Sequence, residues 1–235
     1  MLLHAAIQEA GYSADQPVIS DMEISVNPGE LVGVIGPNGA GKSSLIKTIL
    51  DIMNEVKGDI HLTKYAYIPE RPIFYERLTL WEHIDFLLSV SDEDEKDFTK
   101  RAEELIDLFQ LSAVKHHFPE NFSKGMQQKL MIILAFLKQP KIYIIDEPFM
   151  GLDPKAVKKL LSLIEKKKSE GAGIFMSTHQ LDTAEKICDR FILILNGRII
   201  FQGTLEEIRE KSGLHDGGSL LDCFDALTEG EPHEG

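Results

Sequence analysis

A glycine-rich segment that directly follows a short apolar run places the strongest constraint on the fold. The run Leu31-Val-Gly-Val-Ile35 has the composition of a buried strand, and Gly36-Pro-Asn-Gly-Ala-Gly-Lys-Ser43 follows it without a gap. Its glycines permit a compact loop whose backbone N–H groups turn inward, and a helical pattern begins near Ser44. A strand, a loop of this kind and a helix in succession form a phosphate-binding P-loop unit. The sequence therefore predicts an α/β domain that binds a nucleotide.

The residue types of this loop indicate what each would contact. Lys42 is expected to reach the β- and γ-phosphates, and the Ser43 hydroxyl is expected to bind Mg²⁺. A glycine turn without function is the alternative, and the adjoining strand and helix argue against it. The other predicted contacts to the nucleotide are Gly36, Asn38, Gly39, Ala40, Gly41 and Ser44.

Composition is that of a globular chain without membrane spans. Hydrophobic residues make up 43% and charged residues 27% of the sequence. No window holds about 18 uninterrupted apolar residues, and the N-terminus has no export signal, so we expect a cytoplasmic protein. Cys188 and Cys223 are far apart and lack CxxC spacing, which argues against a disulfide framework or a zinc site. The net charge of −13 argues against a general nucleic-acid-binding surface.

Continuous apolar runs alternate with helical patterns, as in a mainly parallel sheet flanked by helices. Further strands are predicted at residues 141–146, 174–177 and 191–195, and short antiparallel strands are expected before the P-loop. Between residues 70 and 122 the pattern is helical, which predicts an inserted helical subdomain with helices at 80–90 and 100–111. We expect one domain over residues 1–235.

Two local patterns complete this organisation. The run Ser91-Asp-Glu-Asp94 resembles a capping box that opens a helix. Residues 214–235 form an acidic tail whose last residues are expected to be disordered.

Two carboxylates stand where the apolar run at 141–146 ends. Ligand sites of open α/β sheets lie at the carboxyl ends of strands, so Asp146 is predicted to hold the Mg²⁺ shell. Glu147 is predicted to polarise the water that attacks the γ-phosphate. An ordinary strand end with solvated acids is the alternative, which the nearby P-loop makes less favourable.

Several motifs in a fixed order carry a family resemblance. After the P-loop come Phe122-Ser-Lys-Gly-Met-Gln-Gln128, Asp146-Glu147, Gly151-Leu-Asp153-Pro and Ser177-Thr-His179. With these, the chain resembles, over nearly its whole length, the nucleotide-binding subunit of an ATP-binding-cassette (ABC) transporter. The resemblance implies an ATPase that uses ATP and Mg²⁺.

The resemblance also implies roles for individual residues. Ser123, Gly125 and Gln127, in the signature motif, would contact the ATP held by a partner subunit. Asp153 would couple the two sites across the dimer. His179 would contact the γ-phosphate and the catalytic water, and Glu147 would be the other catalytic residue.

Two further positions are less regular. Tyr12, 30 residues before Lys42, resembles the aromatic residue that stacks on adenine, with a buried strand tyrosine as the alternative. Glu70 stands where the family usually has glutamine, and it lies only 28 positions after Lys42. We therefore expect Glu70 to ligate Mg²⁺, and we expect a strand or loop to be trimmed around residues 54–65.

The predicted partners follow from the same resemblance. Phe74 and Tyr75 are expected to contact an integral-membrane transporter subunit, whereas Leu80 and Trp81 are expected to pack within the helices. One P-loop per chain implies a second nucleotide-binding subunit, identical or related, and the C-terminal sequence resembles that of bacterial exporter-type cassettes. The protein would then lie on the inner face of the cell membrane. The alternatives are a soluble ABC-type ATPase acting on nucleic acid or ribosomes, and an interaction module that does not hydrolyse ATP.

Overall fold

The computed structural model describes residues 1–13, 15–214 and 217–228. The strands are β1 (Leu3–Ser13), β2 (Gln16–Val26), β3 (Leu31–Ile35), β4 (Glu55–Leu62), β5 (Tyr65–Ile68), β6 (Ile142–Asp146), β7 (Gly173–Thr178), β8 (Arg190–Leu195) and β9 (Arg198–Gly203). The helices are α1 (Lys42–Ile49), α2 (Leu80–Ser89), α3 (Glu95–Leu108), α4 (Lys124–Leu137), α5 (Pro154–Ser169), α6 (Leu181–Ile187), α7 (Leu205–Ser212) and α8 (Leu220–Thr228), with short 3-10 helices at Ser112–Val114 and Pro119–Asn121.

A six-stranded sheet forms the centre of the molecule in the order β5-β6-β7-β3-β8-β9. All neighbouring strands are parallel except β9, which runs antiparallel to β8. Strands β3, β6 and β7 are buried at every position, because the sheet is covered on both faces. This mainly parallel sheet flanked by helices confirms the predicted fold class.

A second sheet holds the N-terminal strands in the order β2-β1-β4, and its pairs are antiparallel. Side chains of β1 alternate between buried and more exposed positions because one face of this sheet packs on the core. The strands before the P-loop are not short as predicted, since β1 and β2 have 11 residues each. Strand β4 also occupies most of residues 54–65, so a strand is present in the segment that the sequence suggested was trimmed.

Helices α2, α3 and α4 lie in the sequence between β5 and β6, which are neighbours in the sheet. The capping box in this region is at Thr79 and Glu82, which opens α2, and the prediction of a capping box at Ser91–Asp94 was wrong. Asp94 itself is the N-cap of α3 and accepts hydrogen bonds from the amides of Lys96 and Asp97.

The C-terminal segment is folded over most of its described length. Helix α8 lies inside the predicted acidic tail and packs on α6 and α7 around buried Leu220 and Cys223. The prediction of disorder for the last residues falls on 229–235, which lie outside the described residues. Over the described ranges, none of the helices has both the length and the apolar character needed to cross a membrane.

Candidate active site

The P-loop connects the carboxyl end of β3, an inner strand of the six-stranded sheet, to α1. Helix α1 begins at Lys42, slightly earlier than predicted, and its N-cap is Gly41 with a φ of 107°, a conformation that favours glycine. At Gly36 a side chain is excluded, because a Cβ there would lie 2.4 Å from the carbonyl oxygen of Ile194. The Lys42 ammonium is buried and donates to the carbonyl oxygens of Gly36 at 2.7 Å and Pro37 at 3.1 Å. The loop therefore fixes the Lys42 side chain at the N-terminus of α1.

Asp146, the last residue of β6, faces the start of α1. Its Oδ1 lies 3.4 Å from the Ser43 hydroxyl and also accepts a hydrogen bond from the Ser177 hydroxyl of β7. Because β3, β6 and β7 are parallel neighbours, their carboxyl ends meet at one edge of the sheet. The structure thus brings together the two residues that the sequence assigned to Mg²⁺ in the P-loop and at the strand end.

Glu147 is buried and has an unusual backbone conformation. Its φ is +46°, a backbone conformation that residues with a Cβ rarely adopt. The conformation is held by its amide, which donates to the carbonyl oxygen of Ser177 at 3.2 Å and to the hydroxyl of the same residue at 3.1 Å. One carboxylate oxygen then lies 3.8 Å from the Lys42 ammonium. The geometry directs the carboxylate toward the P-loop lysine.

His179 follows β7 at the same edge and contacts Glu147 twice. Its ring Nδ1 is 2.7 Å from Glu147 Oε2, and its backbone amide donates to that oxygen at 3.3 Å. The His179 side chain is about half exposed, so its other face remains open to the cleft. The two residues assigned to catalysis therefore form a hydrogen-bonded pair.

A cleft of about 490 Å³ opens above these groups. The cleft is lined by Asn38, Gly39, Gly41, Lys42, Ser43, Ser44, Glu70, Glu147, Met150 and His179. Glu70 thus lies in the same cleft as the P-loop. Across the described part of the chain, no three residues of the His, Cys, Asp or Glu type are close enough together to hold a metal ion. The residues present still fit Mg²⁺, because the Ser43 hydroxyl and Asp146 carboxylate are oxygen donors that leave room for phosphate oxygens.

Three predicted nucleotide contacts lie outside the lining of this cleft. Gly36 is at the start of the loop, where its carbonyl oxygen accepts from the Lys42 ammonium. Ala40 is buried in the loop, and its carbonyl oxygen accepts from the Gly197 amide. Tyr12 lies on β1 and is 55% exposed, so the alternative of a buried strand tyrosine was wrong. Its hydroxyl is 3.2 Å from the Lys47 ammonium of α1, a hydrogen bond that lowers the pKa of Tyr12. The Tyr12 hydroxyl is therefore hydrogen-bonded to the P-loop helix, and the tyrosine remains exposed.

The signature residues lie at the start of α4 and do not line the cleft of their own chain. Ser123 is the exposed N-cap of α4, and its hydroxyl accepts from the Met126 amide at 3.3 Å. The Gln127 side-chain amide donates to the Pro119 carbonyl oxygen at 2.9 Å, so this donor is engaged within its own chain. Gly125 packs directly against the loop after Glu147, where a Cβ would lie 2.4 Å from the Gly151 carbonyl oxygen.

Asp153 is the N-cap of α5 and connects this helix to α4. Its carboxylate caps the helix by accepting from the Ala156 amide at 2.9 Å and pairs with the Lys129 ammonium of α4 at 2.8 Å. The bond from Lys129 and the bond from the helix amide lower the pKa of Asp153 to about 2. Asp153 is thus held as a carboxylate between α4 and α5.

Sequence reasoning did not assign four residues that the structure places at the site. Ser177 donates to the Asp146 carboxylate and accepts from the Glu147 amide, Lys129 holds Asp153, Lys47 contacts Tyr12, and Met150 lines the cleft. Ser177 was visible in the motif that ends at His179. For the other three, the sequence has no local signal, since their contacts depend on the packing of separate elements.

Comparisons with known proteins agree with this architecture. The family model described as ABC transporter matches residues 19–150. The ABC transporter ATP-binding protein YthP of Bacillus subtilis (strain 168) is 51% identical over 232 residues, which cover 98% of each chain. A solved structure of an ATP-binding subunit of an ABC transporter is 43% identical, with a TM-score of 0.92, covering 97% of this chain and all of that one.

A more distant solved structure, the dimeric ATP-binding cassette MJ0796 bound to ADP and Pi, is 21% identical, with a TM-score of 0.75. The match covers 86% of this chain and 98% of that chain and shows the shared fold. From the family model and the relatives of high identity, the chain belongs to the ABC transporter family as an ATP-binding protein, and it is an ATPase.

Proposed function

We propose that this chain drives transport through a separate membrane-spanning partner by hydrolysing ATP at composite sites in a dimer of cassettes. The single observation that carries the proposal is the separation of two half-sites on one chain. The P-loop, Glu147 and His179 share a cleft, whereas Ser123 and Gly125 lie outside that cleft. A second cassette would bring an exposed helix start opposite each cleft.

Within one cleft the residues support in-line attack of water on the γ-phosphate. Glu147 is placed to accept hydrogen bonds from that water, and its pairing with His179 Nδ1 orients the imidazole toward the same region. Lys42 is placed to neutralise charge on the β- and γ-phosphates. Mg²⁺, when bound by Ser43 and Asp146, would polarise the phosphate oxygens.

Across the dimer, the start of α4 would meet the partner's nucleotide. The start of a helix favours an anion, and the exposed Ser123 hydroxyl lies at this start. Asp153 pairs with Lys129 in the second turn of the same helix, so the coupling of the two sites would pass through a contact made within one chain. That a cassette of the same fold was solved as a dimer with ADP and Pi supports the proposal of a dimer.

An apolar cleft of about 480 Å³ is the proposed contact with the membrane partner. It includes Phe74, half-buried, and Tyr75, which is 60% exposed. Trp81 and Leu80 instead pack against the core, as expected for helix packing. Docking here would hold the protein on the inner face of the cell membrane, and the partner would determine the substrate. Export is the direction that the C-terminal sequence favours.

The proposal is tested by mixing two inactive variants of the purified cassette. Lys42→Ala disables the cleft, and Ser123→Ala disables the helix start. If a site uses Lys42 of one chain and Ser123 of the other, a mixed dimer contains one intact site. An equimolar mixture should then recover about a quarter of wild-type ATPase activity, because half of the dimers are mixed and each has one working site.

A mixture no more active than its components would refute composite sites in a homodimer. Turnover by Glu147→Gln equal to that of wild type would refute the role of Glu147. Co-purification from detergent-solubilised membranes tests the transport role, since recovery with a ribosome or a nuclease and no membrane protein would favour a soluble ABC-type ATPase.

A further inference from the structure

The helix that follows His179 is short and poorly supported by its own sequence. Helix α6 has seven residues, Leu181–Ile187, and its N-cap Gln180 makes no side-chain capping hydrogen bond. Two turns without a cap are not stable in isolation, because too few hydrogen bonds form to offset the ordering of the backbone. The position of α6 therefore depends on tertiary contacts.

The C-terminal helices supply those contacts through Glu185. On α6, Glu185 Oε1 accepts from the Arg209 guanidinium of α7 at 3.3 Å, and Glu185 Oε2 accepts from the Leu220 amide at the start of α8 at 2.8 Å. Arg209 also donates from Nε to the Gly218 carbonyl oxygen at 2.8 Å. One carboxylate and one guanidinium thus connect three helices.

Packing under these hydrogen bonds makes the connection stiff. Ala184, next to Glu185, is fully buried in a cluster with Ile208, Leu220 and Cys223. The Glu185 and Arg209 side chains are each about one-quarter exposed, so water competes only partly for their charges. Rotation of α6 would require this cluster and these hydrogen bonds to open together.

We propose that Glu185 is a positioning residue for hydrolysis: by fastening α7 and α8 to α6, it sets His179 against Glu147. His179 lies two residues before α6, and its contacts with Glu147 span only 2.7 and 3.3 Å. A small rotation of α6 would lengthen both contacts. The P-loop lies on separate elements, so ATP binding would change little. This inference rests on the role in hydrolysis proposed for His179.

Steady-state ATPase kinetics of Glu185→Ala and Arg209→Ala test the inference, with Glu210→Ala as the matched control. Glu210 is an exposed glutamate of α7 next to Arg209. For Glu185→Ala we expect kcat to fall by about ten- to a hundredfold, as for other displacements of about 1 Å, with KM for ATP changed less than about twofold. Glu185→Ala/Arg209→Ala should be no worse than the stronger single variant, because both substitutions open the same connection.

Hydrogen exchange over residues 178–187 gives a readout independent of activity, and protection should fall in Glu185→Ala but not in Glu210→Ala. If Glu185→Ala does not fold, Glu185→Gln and Arg209→Lys keep part of the hydrogen bonding and serve in its place, with smaller losses of kcat expected. Wild-type kcat in these variants, or equal falls in kcat and in the fraction of protein that binds nucleotide, would overturn the inference. His179→Ala separates the two proposals: wild-type turnover in that variant would refute the role of His179, whereas an inactive His179→Ala beside a fully active Glu185→Ala would refute only the positioning role.

Discussion

Replacing Gly125 with alanine sets two effects of opposite sign against each other at the start of α4. In a helix, alanine is more favourable than glycine by about 1 kcal/mol. The new Cβ, however, would lie 2.4 Å from the Gly151 carbonyl oxygen, whereas ordinary contact begins at 3.4 Å. Because this oxygen belongs to the backbone, the loop around Gly151 must retreat by about 1 Å.

The clash should outweigh the gain in helix propensity. Overpacking of a close contact destabilises a protein by about 1–3 kcal/mol. The net loss in the free energy of unfolding for Gly125→Ala should therefore be about 1 kcal/mol, which lowers Tm by about 2–4 °C in a chain of this size. Whatever part of the shift the start of α4 takes up also moves the Ser123 hydroxyl, and a shift of about 1 Å in a positioning group can lower turnover by up to about a hundredfold.

Urea denaturation and steady-state ATPase assays measure the two effects separately. Lys124→Ala is the stability control, since Lys124 is exposed and its replacement should change the free energy of unfolding by less than about 0.5 kcal/mol. A Gly125→Ala protein as stable as wild type, or more stable, would show that helix propensity dominates and would refute the close contact between α4 and the Gly151 loop.

Three other predictions concern single contacts. Lys129→Met should raise the pKa of Asp153 from about 2 toward its ordinary value, as measured by NMR titration, whereas Lys129→Arg should keep this pKa low. The ion pair stabilises the fold at pH values above the ordinary carboxyl pKa, and this stabilisation is lost as the pH falls toward 2. Burial lowers the pKa of His83, whose Nε2 accepts from the Tyr75 amide at 3.0 Å, so the stability of the fold should decrease as the pH drops below about 6.5. The dependence of Tm on pH should be weaker in His83→Gln, and an equal dependence in the two proteins would show that His83 is not its cause. Tyr12→Ala should weaken binding of a fluorescent ATP analogue about two- to tenfold and Tyr12→Phe should not, and equal affinities in the two variants would exclude stacking.

The sequence was sufficient for the parts of the site that depend on local patterns. The strand before Gly36, the glycines and the helix after them are adjacent in the chain, so their order alone predicts the loop. Asp146 and His179 could be placed beside that loop because the carboxyl ends of neighbouring parallel strands share an edge. Their pairing with particular atoms, such as the Ser177 hydroxyl, was not visible before the strands were in register.

Other features required the packed structure or a closer reading of the chain. The capping box at Thr79 had the stronger pattern, since Glu82 stands three residues later. Three residues after Ser91 stands Asp94, whose shorter side chain reaches the amide of the N-cap residue less well. Helix α8 lies in the segment that the sequence described only as an acidic tail, and its packing on α6 and α7 required the structure. The contacts from Glu185 and Lys129 join elements far apart in sequence, and spacing cannot reveal them.

The backbone of Glu147 has a consequence for the engineering of this cassette. A φ of +46° is comfortable for glycine and strained for glutamate, so heat resistance and turnover make opposite demands at this position. A library screened only for survival at high temperature would enrich Glu147→Gly wherever relief of this strain exceeds the loss of the carboxylate beside the buried Lys42, and those cassettes would no longer hydrolyse ATP. A search for robust variants has to include an ATPase step in every round.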